Sequence, residues 1–282
     1  MLINGNTAKI GEEEFISIRD LLYDYCGLYF DHDNKFLLEN RLSRRLSLHQ
    51  ITTFRDYYLF LKYYKHRDEE LSTVIDLITT NETYFFREAY QLKAFTDEIL
   101  PEITARKKDK TIRIWSAGCS TGEEPYSIAI LLIELMERGN LDGWHLDILG
   151  SDISQRVLGV ARTGVYSPFS FRDTDDRYLS YFEKDEGDKK KVNDKVKSLV
   201  TFTHLNLLDT NRISLLKTVD IIFCRNVIIY FGIKAKKKVI QEFYDKLDNG
   251  GYLLLGHSES LINISAHFKL KHLKNDIVYQ KP

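Results

Sequence analysis

The first part of the chain has apolar residues at helical spacing. From Glu12 to about Thr80 they recur three and four positions apart, which is the period of one face of an α-helix. Gly27 follows the first of these runs and suits the C-terminal cap of a helix. The pattern predicts an all-helical N-terminal domain over residues 1–80. Its expected apolar face comprises Phe15, Ile18, Leu22, Tyr25, Leu38, Leu42, Leu46, Leu71, Val74, Ile75 and Ile78.

The pattern changes after Pro101, where short runs rich in β-branched residues alternate with helical segments. Such alternation is typical of an α/β domain with a parallel sheet covered by helices on both faces. We therefore predict a second domain over residues 81–282. Inside it, the charged stretch EKDEGDKKKVND indicates a polar turn that joins two weak strands. The predicted strands of the main sheet are Thr111–Ala117, His145–Asp152, Val200–Asn206, Val219–Asn226 and Gly251–Glu259.

Composition and charge narrow the possible functions. The 282 residues carry 40 Lys and Arg against 41 Asp and Glu, a formal net charge of −1, which argues against a dedicated nucleic-acid binder. Three cysteines without CxxC spacing favour neither a disulfide framework nor a zinc site. The first residues lack a signal-peptide pattern, and the longest apolar run, Ile128 to Met136, is too short to span a bilayer. We expect a cytoplasmic protein with no membrane insertion.

The first predicted strand leads directly into the turn AGCSTGEEP, residues 117–125. Ligands of doubly wound sheets bind at the carboxyl ends of the strands, where this turn lies. Gly118 and Gly122 could serve only a tight turn, because the full GxGxxG motif is absent. Glu123 and Glu124 would repel a pyrophosphate from the start of the next helix. A cationic ligand without phosphate, such as S-adenosylmethionine (SAM), fits the turn better.

Polar residues at three other places extend this candidate site. Asp152 ends the second predicted strand and can accept hydrogen bonds from two ribose hydroxyls, or it can cap the next helix. Arg225 and Asn226 follow an apolar strand, where burial costs free energy unless they find partners. A third segment lies where the two predicted domains meet, a common place for ligands. It contains Asn81, Thr83 and Arg87, of which the first two could also be ordinary helix caps.

The segments NETYFFREAYQL, RIWSAGCSTGEEPYSIAI, GSDIS, FCRNVIIYF and GYLLLGHSES closely resemble, in order and spacing, the chemotaxis-receptor glutamate methyltransferases of the CheR type. The resemblance covers nearly the whole chain. It implies a class I methyltransferase fold, which is an α/β, Rossmann-like doubly wound sheet, behind a small all-helical domain. It also implies a small antiparallel β subdomain inserted at about residues 165–203.

The same resemblance implies the cofactor and the residues around it. SAM is the implied methyl donor, S-adenosylhomocysteine the product, and no metal takes part. Arg87 and Tyr230 are implied to lie beside the transferred methyl group. Cys119 and His257 we interpret as structural, because methyl transfer to a carboxylate requires nothing of either. The implied cofactor contacts are Asn81, Thr83, Arg87, Glu124, Asp152, Asn206, Leu207, Arg225 and Asn226.

Receptor recognition is expected from the second helical run. Arg41, Arg44 and Arg45 cluster there at i, i+3 and i+4, which by itself is most simply a solvated basic face. The family uses its corresponding helix to contact the cytoplasmic helical bundle of membrane chemoreceptors. Ser47 departs from the family pattern, since its position is often basic in relatives.

Some family members also grip a C-terminal tail peptide of the receptor through a longer glycine-containing loop in the inserted subdomain. Here Gly187 is the only glycine between Glu183 and Leu199, so we expect recognition independent of a tail peptide. Two alternatives stay open: a related methyltransferase with another protein or small-molecule substrate, and a SAM-binding signalling module without catalysis.

Overall fold

The computed structural model describes residues 8–282. Residues 1–7, which the predictions of a helical domain and of no signal peptide include, lie outside this range. The chain divides into two compact units. One comprises the chain up to Thr80 together with Tyr230–Ala235, and the other comprises Asn81–Ile229 with Lys236–Pro282.

In the described part of the first unit, four helices follow one another. The expected apolar face is buried at all positions except Tyr25, which is half-buried. Gly27 takes a left-handed conformation, φ 78°, and its N–H donates to the carbonyl of Tyr23, so the predicted cap is confirmed. Leu28 then forms an isolated antiparallel bridge with Phe231. The helices are α1 (Glu12–Cys26), α2 (Lys35–Leu48), α3 (Phe54–Tyr63) and α4 (Arg67–Ile78).

The second unit is built, within the described residues, on a seven-stranded sheet of order β6-β2-β1-β7-β8-β10-β9. The first five of these strands run parallel, and β10 pairs antiparallel with both of its neighbours. The predicted α/β class with a doubly wound sheet is confirmed. The strands are β1 (Thr111–Ala117), β2 (His145–Asp152), β6 (Val200–His204), β7 (Val219–Cys224), β8 (Leu247–Leu255), β9 (Lys269–His272) and β10 (Ile277–Gln280).

Helices accompany these strands in the order expected for a parallel sheet. The first of them is continuous but changes character, because a π-helical turn at Phe95–Ile99 separates α5 (Ala89–Ala94) from α6 (Leu100–Arg106). Among residues 8–282, no helix is both long and apolar enough to cross a bilayer. The remaining helices are α7 (Glu123–Glu137), α8 (Gln155–Thr163), α9 (Asp194–Lys197), α10 (Thr210–Ser214) and α11 (Ile233–Lys246).

The predicted insertion forms a small antiparallel sheet between α8 and β6. Its strands β3 (Val165–Tyr166), β4 (Phe182–Lys184) and β5 (Lys190–Val192) lie in the order β3-β5-β4. The charged stretch turns at Gly187, whose φ of 64° suits a glycine. The expectation of two weak strands joined by a polar turn is confirmed, and β3 adds a third.

Candidate active site

The turn between β1 and α7 is tightly folded against the end of β2. The N–H groups of Gly118 and Cys119 both donate to the carbonyl of Ser151, over 2.8 and 2.9 Å. Gly122 has a φ of 93°, and a Cβ there would lie 2.8 Å from the Cβ of Ala161. A tight turn therefore accounts for Gly118 and Gly122, as the sequence analysis allowed. The hydrogen bonds to Ser151 place this turn at the carboxyl edge of the sheet.

Asp152 links this turn to the next loop. Its carboxylate accepts from the N–H of Ser120 over 2.8 Å and from the N–H of Ser154 over 2.9 Å. Ser154, not Asp152, is the cap of α8, because the Ser154 hydroxyl accepts from the N–H of Val157. The alternative that Asp152 caps the helix is therefore wrong. Asp152 instead holds the turn in place at a position that is only 8% exposed.

Glu124 and Arg225 form a buried ion pair at the same edge. The Nε of Arg225 donates to Glu124 over 2.7 Å, and the other carboxylate oxygen of Glu124 accepts from the Ser116 hydroxyl, also over 2.7 Å. Arg225 further donates to the carbonyl of Arg87 over 2.8 Å. The guanidinium thus finds the partners that its burial requires. The positive charge of Arg225 therefore compensates the charge of the Glu124 carboxylate.

Glu123 has a different role from its neighbour. Its carboxylate is buried and accepts from the hydroxyls of Thr121 over 2.6 Å and Ser170 over 2.9 Å. Burial raises the pKa of the Glu123 carboxyl above its ordinary value. The expectation that Glu123 and Glu124 together repel a pyrophosphate stays a prediction. The structure adds that hydroxyls of the turn and of the inserted region engage Glu123.

Glu259 is a site residue that the sequence analysis did not predict, although it lies in the segment GYLLLGHSES that resembles the family. Its carboxylate accepts hydrogen bonds of 2.8–3.1 Å from four backbone N–H groups, on Asn226, Val227, Ile229 and Gly256. It thereby fixes the loop after β7, where Asn226 takes a left-handed φ of 60°. The only sequence signal was a carboxylate just after a buried strand.

The segment carrying Asn81, Thr83 and Arg87 also reaches this edge. The Ser120 hydroxyl donates to the carbonyl of Asn81 over 3.1 Å, so the same serine contacts both Asn81 and Asp152. Thr83 is half-buried. The guanidinium of Arg87 donates to the carbonyl of Glu82 over 3.1 Å.

Two further predicted contacts follow β6, whose His204 is in register with Asp152. The side chain of Asn206 accepts from the N–H of Leu208 over 2.9 Å, and Leu207 is buried.

Tyr230 belongs to the other unit, where its carbonyl accepts from the N–H of Tyr29 and its side chain is 42% exposed. Hydrogen bonds thus connect Asn81 with Asp152, and Arg87 with Arg225 and Glu124.

Cys119 and His257 differ in their surroundings. Burial, together with the carboxylate of Asp152, raises the pKa of the Cys119 thiol well above its usual range, which keeps it from acting as a thiolate nucleophile. His257 is mostly exposed, with Nδ1 3.4 Å from a carboxylate oxygen of Glu88. In the part of the chain that the structure describes, no group of three His, Cys, Asp or Glu side chains could hold a metal ion.

The three arginines of α2 are not equivalent. Arg44 is exposed, whereas Arg41 donates to the carbonyl of Leu77 over 2.9 Å. Arg45 forms a two-pronged ion pair with Glu70, which is only 5% exposed and also accepts from the hydroxyl of Tyr57. Arg45 therefore stabilises the helical unit, and Arg44 is the one of the three most open to a partner.

The unsatisfied atoms at the edge indicate which ligand the site fits. Between residues 8 and 282, the buried oxygens Asn226 Oδ1 and Glu88 Oε2 accept no hydrogen bond. Both are acceptors, so they suit a ligand that brings amine or hydroxyl donors. SAM brings such donors in its amino groups and ribose hydroxyls, so the residues present fit it.

Comparison with known proteins gives the same picture over the whole chain. Residues 13–79 match the family model "CheR methyltransferase, all-alpha domain", and residues 81–277 match "CheR methyltransferase, SAM binding domain". The "Chemotaxis protein methyltransferase 2" of Vibrio cholerae is 36% identical over 278 residues, which cover 98% of this chain and 96% of that protein. A "Chemotaxis protein methyltransferase" of Borreliella burgdorferi is 37% identical over 258 residues, 90% of each chain.

Proposed function

The chain belongs to the CheR methyltransferase family, and from this premise we propose that it transfers the methyl group of SAM to glutamate side chains of chemoreceptors. The products are glutamate methyl esters and S-adenosylhomocysteine. The proposal includes a cytoplasmic location, where the signalling bundles of membrane chemoreceptors are found. It is supported by the family match together with the relatives, which are named chemotaxis protein methyltransferases.

The observation that carries the proposal is the set of acceptors at the carboxyl edge of the sheet. Asp152 is held there by two backbone N–H groups, and the unsatisfied oxygens of Asn226 and Glu88 lie in the same unit. We assign binding of SAM to this edge. The residues assigned to it are Asn81, Thr83, Arg87, Glu124, Asp152, Asn206, Leu207, Arg225 and Asn226.

The chemistry requires little beyond positioning. Bound SAM supplies a methyl group that its sulfonium charge activates. A glutamate side chain, with an ordinary pKa of ~4.3, is already a carboxylate at neutral pH, so the protein needs no general base. Alignment of the nucleophile with the methyl group can lower the activation barrier by roughly 7–11 kcal/mol. We assign this alignment to Arg87 and Tyr230.

The proposed receptor contact uses the basic face of α2. Of its arginines, Arg44 is the exposed one and Arg41 is half-buried, while Arg45 is paired with Glu70. Acidic receptor helices would be attracted to this face through interactions that salt screens. The turn between β4 and β5 is short, with the N–H of Asp185 donating to the carbonyl of Lys189. A turn of this length supports recognition without a receptor tail peptide.

The test is methylation of receptor cytoplasmic fragments with methyl-labelled SAM. We expect label that is released by mild base, as methyl esters are, and that disappears when the methylated glutamates of the receptor are changed to alanine. Base-stable label, or label on another protein, would indicate the related methyltransferase with a different substrate. Binding of SAM without transfer to any fraction of the host would indicate the module without catalysis.

The recognition surface is tested in the same assay. We expect Arg44→Glu to raise the KM for the receptor and to leave SAM affinity unchanged, with the defect shrinking at high salt. Arg138→Glu, at another exposed arginine, serves as the control for added negative charge. Receptors without their C-terminal tails should be methylated as fast as intact ones. A normal KM for the Arg44 variant at low salt would remove α2 from the proposed interface.

A further inference from the structure

The segment before Arg87 packs against the inserted region through successive residues. The N–H of Phe85 donates to the carbonyl of Ser170 over 2.9 Å, and the ring of Phe85 stacks on Phe171 with centroids 5.1 Å apart. The ring of Phe86 stacks on Tyr178 at 4.1 Å. These contacts lie within one unit of the chain. The insertion therefore supports the segment from which Arg87 projects.

Arg172 is the charged member of this packing. Its guanidinium lies 3.7 Å from the ring centroid of Tyr84 and 4.1 Å from that of Phe169. Its Nη2 donates to the carboxylate of Glu82 over 3.0 Å, and its Nη1 donates to the carbonyl of Phe169 over 3.1 Å. One side chain thus contacts two residues of the segment, Glu82 and Tyr84, and it is three-quarters buried there.

The same two residues contact Arg87. Its Nη1 donates to the carbonyl of Glu82 over 3.1 Å, and its guanidinium lies 5.7 Å from the ring centroid of Tyr84. Arg172 and Arg87 therefore both contact Glu82 and Tyr84, but they use different groups of Glu82. The carboxylate of Glu82 compensates Arg172, and this leaves the charge of Arg87 available.

We infer that Arg172 is a positioning residue for Arg87, acting through Glu82 and Tyr84. The inference rests on the proposed function for its catalytic consequence, but its structural part does not. A planar guanidinium can lie against aromatic rings while its N–H groups reach a carboxylate and a carbonyl. A lysine offers a single ammonium and keeps only the charge. Arginine is thus the residue type that this position requires.

The experiment compares Arg172→Gln and Arg172→Lys with the parent protein, and Arg138→Ala is the matched control. Arg138 is also paired with a carboxylate, but its partner Glu134 lies only four residues earlier, in helix α7, which ends just before Arg138. Hydrogen exchange of the 81–88 peptide is measured together with the unfolding free energy and the affinity for S-adenosylhomocysteine. The kcat and KM for receptor methylation are measured in parallel.

We expect Arg172→Gln to speed exchange in the 81–88 peptide while peptides of β1, β2 and β7 keep the parent rates. The kcat should fall about threefold to tenfold, the range of a lost cation–π contact, and the KM for the receptor should stay within about twofold. Arg172→Lys should recover part of the kcat, because it keeps the charge opposite Glu82. Arg138→Ala should change none of these quantities.

Two results would overturn the inference. One is unchanged exchange of the 81–88 peptide in Arg172→Gln. The other is faster exchange throughout the chain with a matching loss of unfolding free energy, which is the mark of a merely structural residue. If the parent protein fails to methylate any receptor, the proposed function fails by that measurement alone. The exchange comparison would still decide the role of Arg172.

Discussion

Strand β7 has a buried ion pair at each of its ends, and the two pairs differ in what surrounds them. At the amino end, Asp220 is fully buried and both of its oxygens lie within 3.0 Å of the Lys107 ammonium. One oxygen also accepts from the N–H of Arg113 over 2.9 Å. The carboxylate therefore has a complete set of partners. This pair connects β7 to β1 and to the residue that follows α6.

At the carboxyl end, Arg225 pairs with Glu124, but buried acceptors remain unsatisfied nearby. Glu88 Oε2 lies 3.9 Å from Arg225, beyond hydrogen-bond distance, and Asn226 Oδ1 has no partner in the described range. Glu88 and Asn226 also hold left-handed backbone angles, φ 57° and 60°. A buried charge pair alone thus does not identify a ligand site. Our proposal that the ligand binds at the carboxyl end rests on unsatisfied acceptors together with costly backbone geometry.

The largest expected effect comes from the amino end. We expect Asp220→Asn to lower the free energy of unfolding by about 3 kcal/mol. The change removes the nearest and buried counter-charge of the Lys107 ammonium, leaves only Asp109 and Asp248 at 3.9 and 3.8 Å, and turns an amide donor toward other donors. Affinity for S-adenosylhomocysteine should be unchanged in the folded protein. Urea unfolding and titration calorimetry measure the two quantities. If Asp220→Asn instead lost affinity for S-adenosylhomocysteine at unchanged stability, the ligand would have to be assigned to the amino end of β7.

The matched change at the carboxyl end is Glu124→Gln. We expect it to weaken binding of S-adenosylhomocysteine by about 1.5–3 kcal/mol, the range for a hydrogen bond to a charged group. The free energy of unfolding should fall less than in Asp220→Asn, because Arg225 keeps the carbonyl of Arg87 as a partner and Glu88 as a nearby charge. Calorimetry on both variants gives the comparison directly. Affinities equal to that of the parent protein in both variants would show that neither pair contacts the ligand.

The contrast also shows what the sequence could predict. The strands of the parallel sheet were predictable because a buried strand such as β7 has six consecutive buried residues, a local pattern. The pairing of Glu124 with Arg225 was not predictable, because 101 positions separate them and only the fold brings them together. Glu123 accepts from two hydroxyls, whereas Glu124 pairs with Arg225. This difference depends on how the first turn of α7 is oriented, and two adjacent glutamates in a sequence do not show that orientation.

The end of the chain was harder to predict than the central sheet. Strand β8 begins at Leu247, four residues before the predicted start at Gly251, because Leu247 pairs with Val219. Gly250 and Gly251 also exchange backbone hydrogen bonds with Lys281, the residue after β10. Strands β9 and β10 were not predicted at all. The sequence of β9, KLKH, has one apolar residue, and Leu270 is exposed, so β9 lacks the periodic burial that identifies a strand.

The smallest expected effect concerns the pH dependence of Glu123, which sharpens the contrast with its neighbour. Burial raises the pKa of the Glu123 carboxyl, so the folded state holds this proton more tightly than the unfolded state does. Below the unfolded pKa of ~4.3 both states are protonated; as the pH rises from there through the folded pKa, the unfolded state ionises first and stability falls.

Glu123→Gln cannot ionise, so it should lack this loss of stability. We expect the unfolding free energy of the variant, relative to the parent, to increase as the pH rises above ~4.3 and then to level off. Glu137→Gln is the control of opposite sign, since the hydrogen bond from Lys195 lowers the pKa of that exposed carboxyl. Urea unfolding at a series of pH values measures both differences. If the Glu123 difference is flat across this range, the carboxylate stays ionised inside the protein and the hydroxyls of Thr121 and Ser170 outweigh its burial.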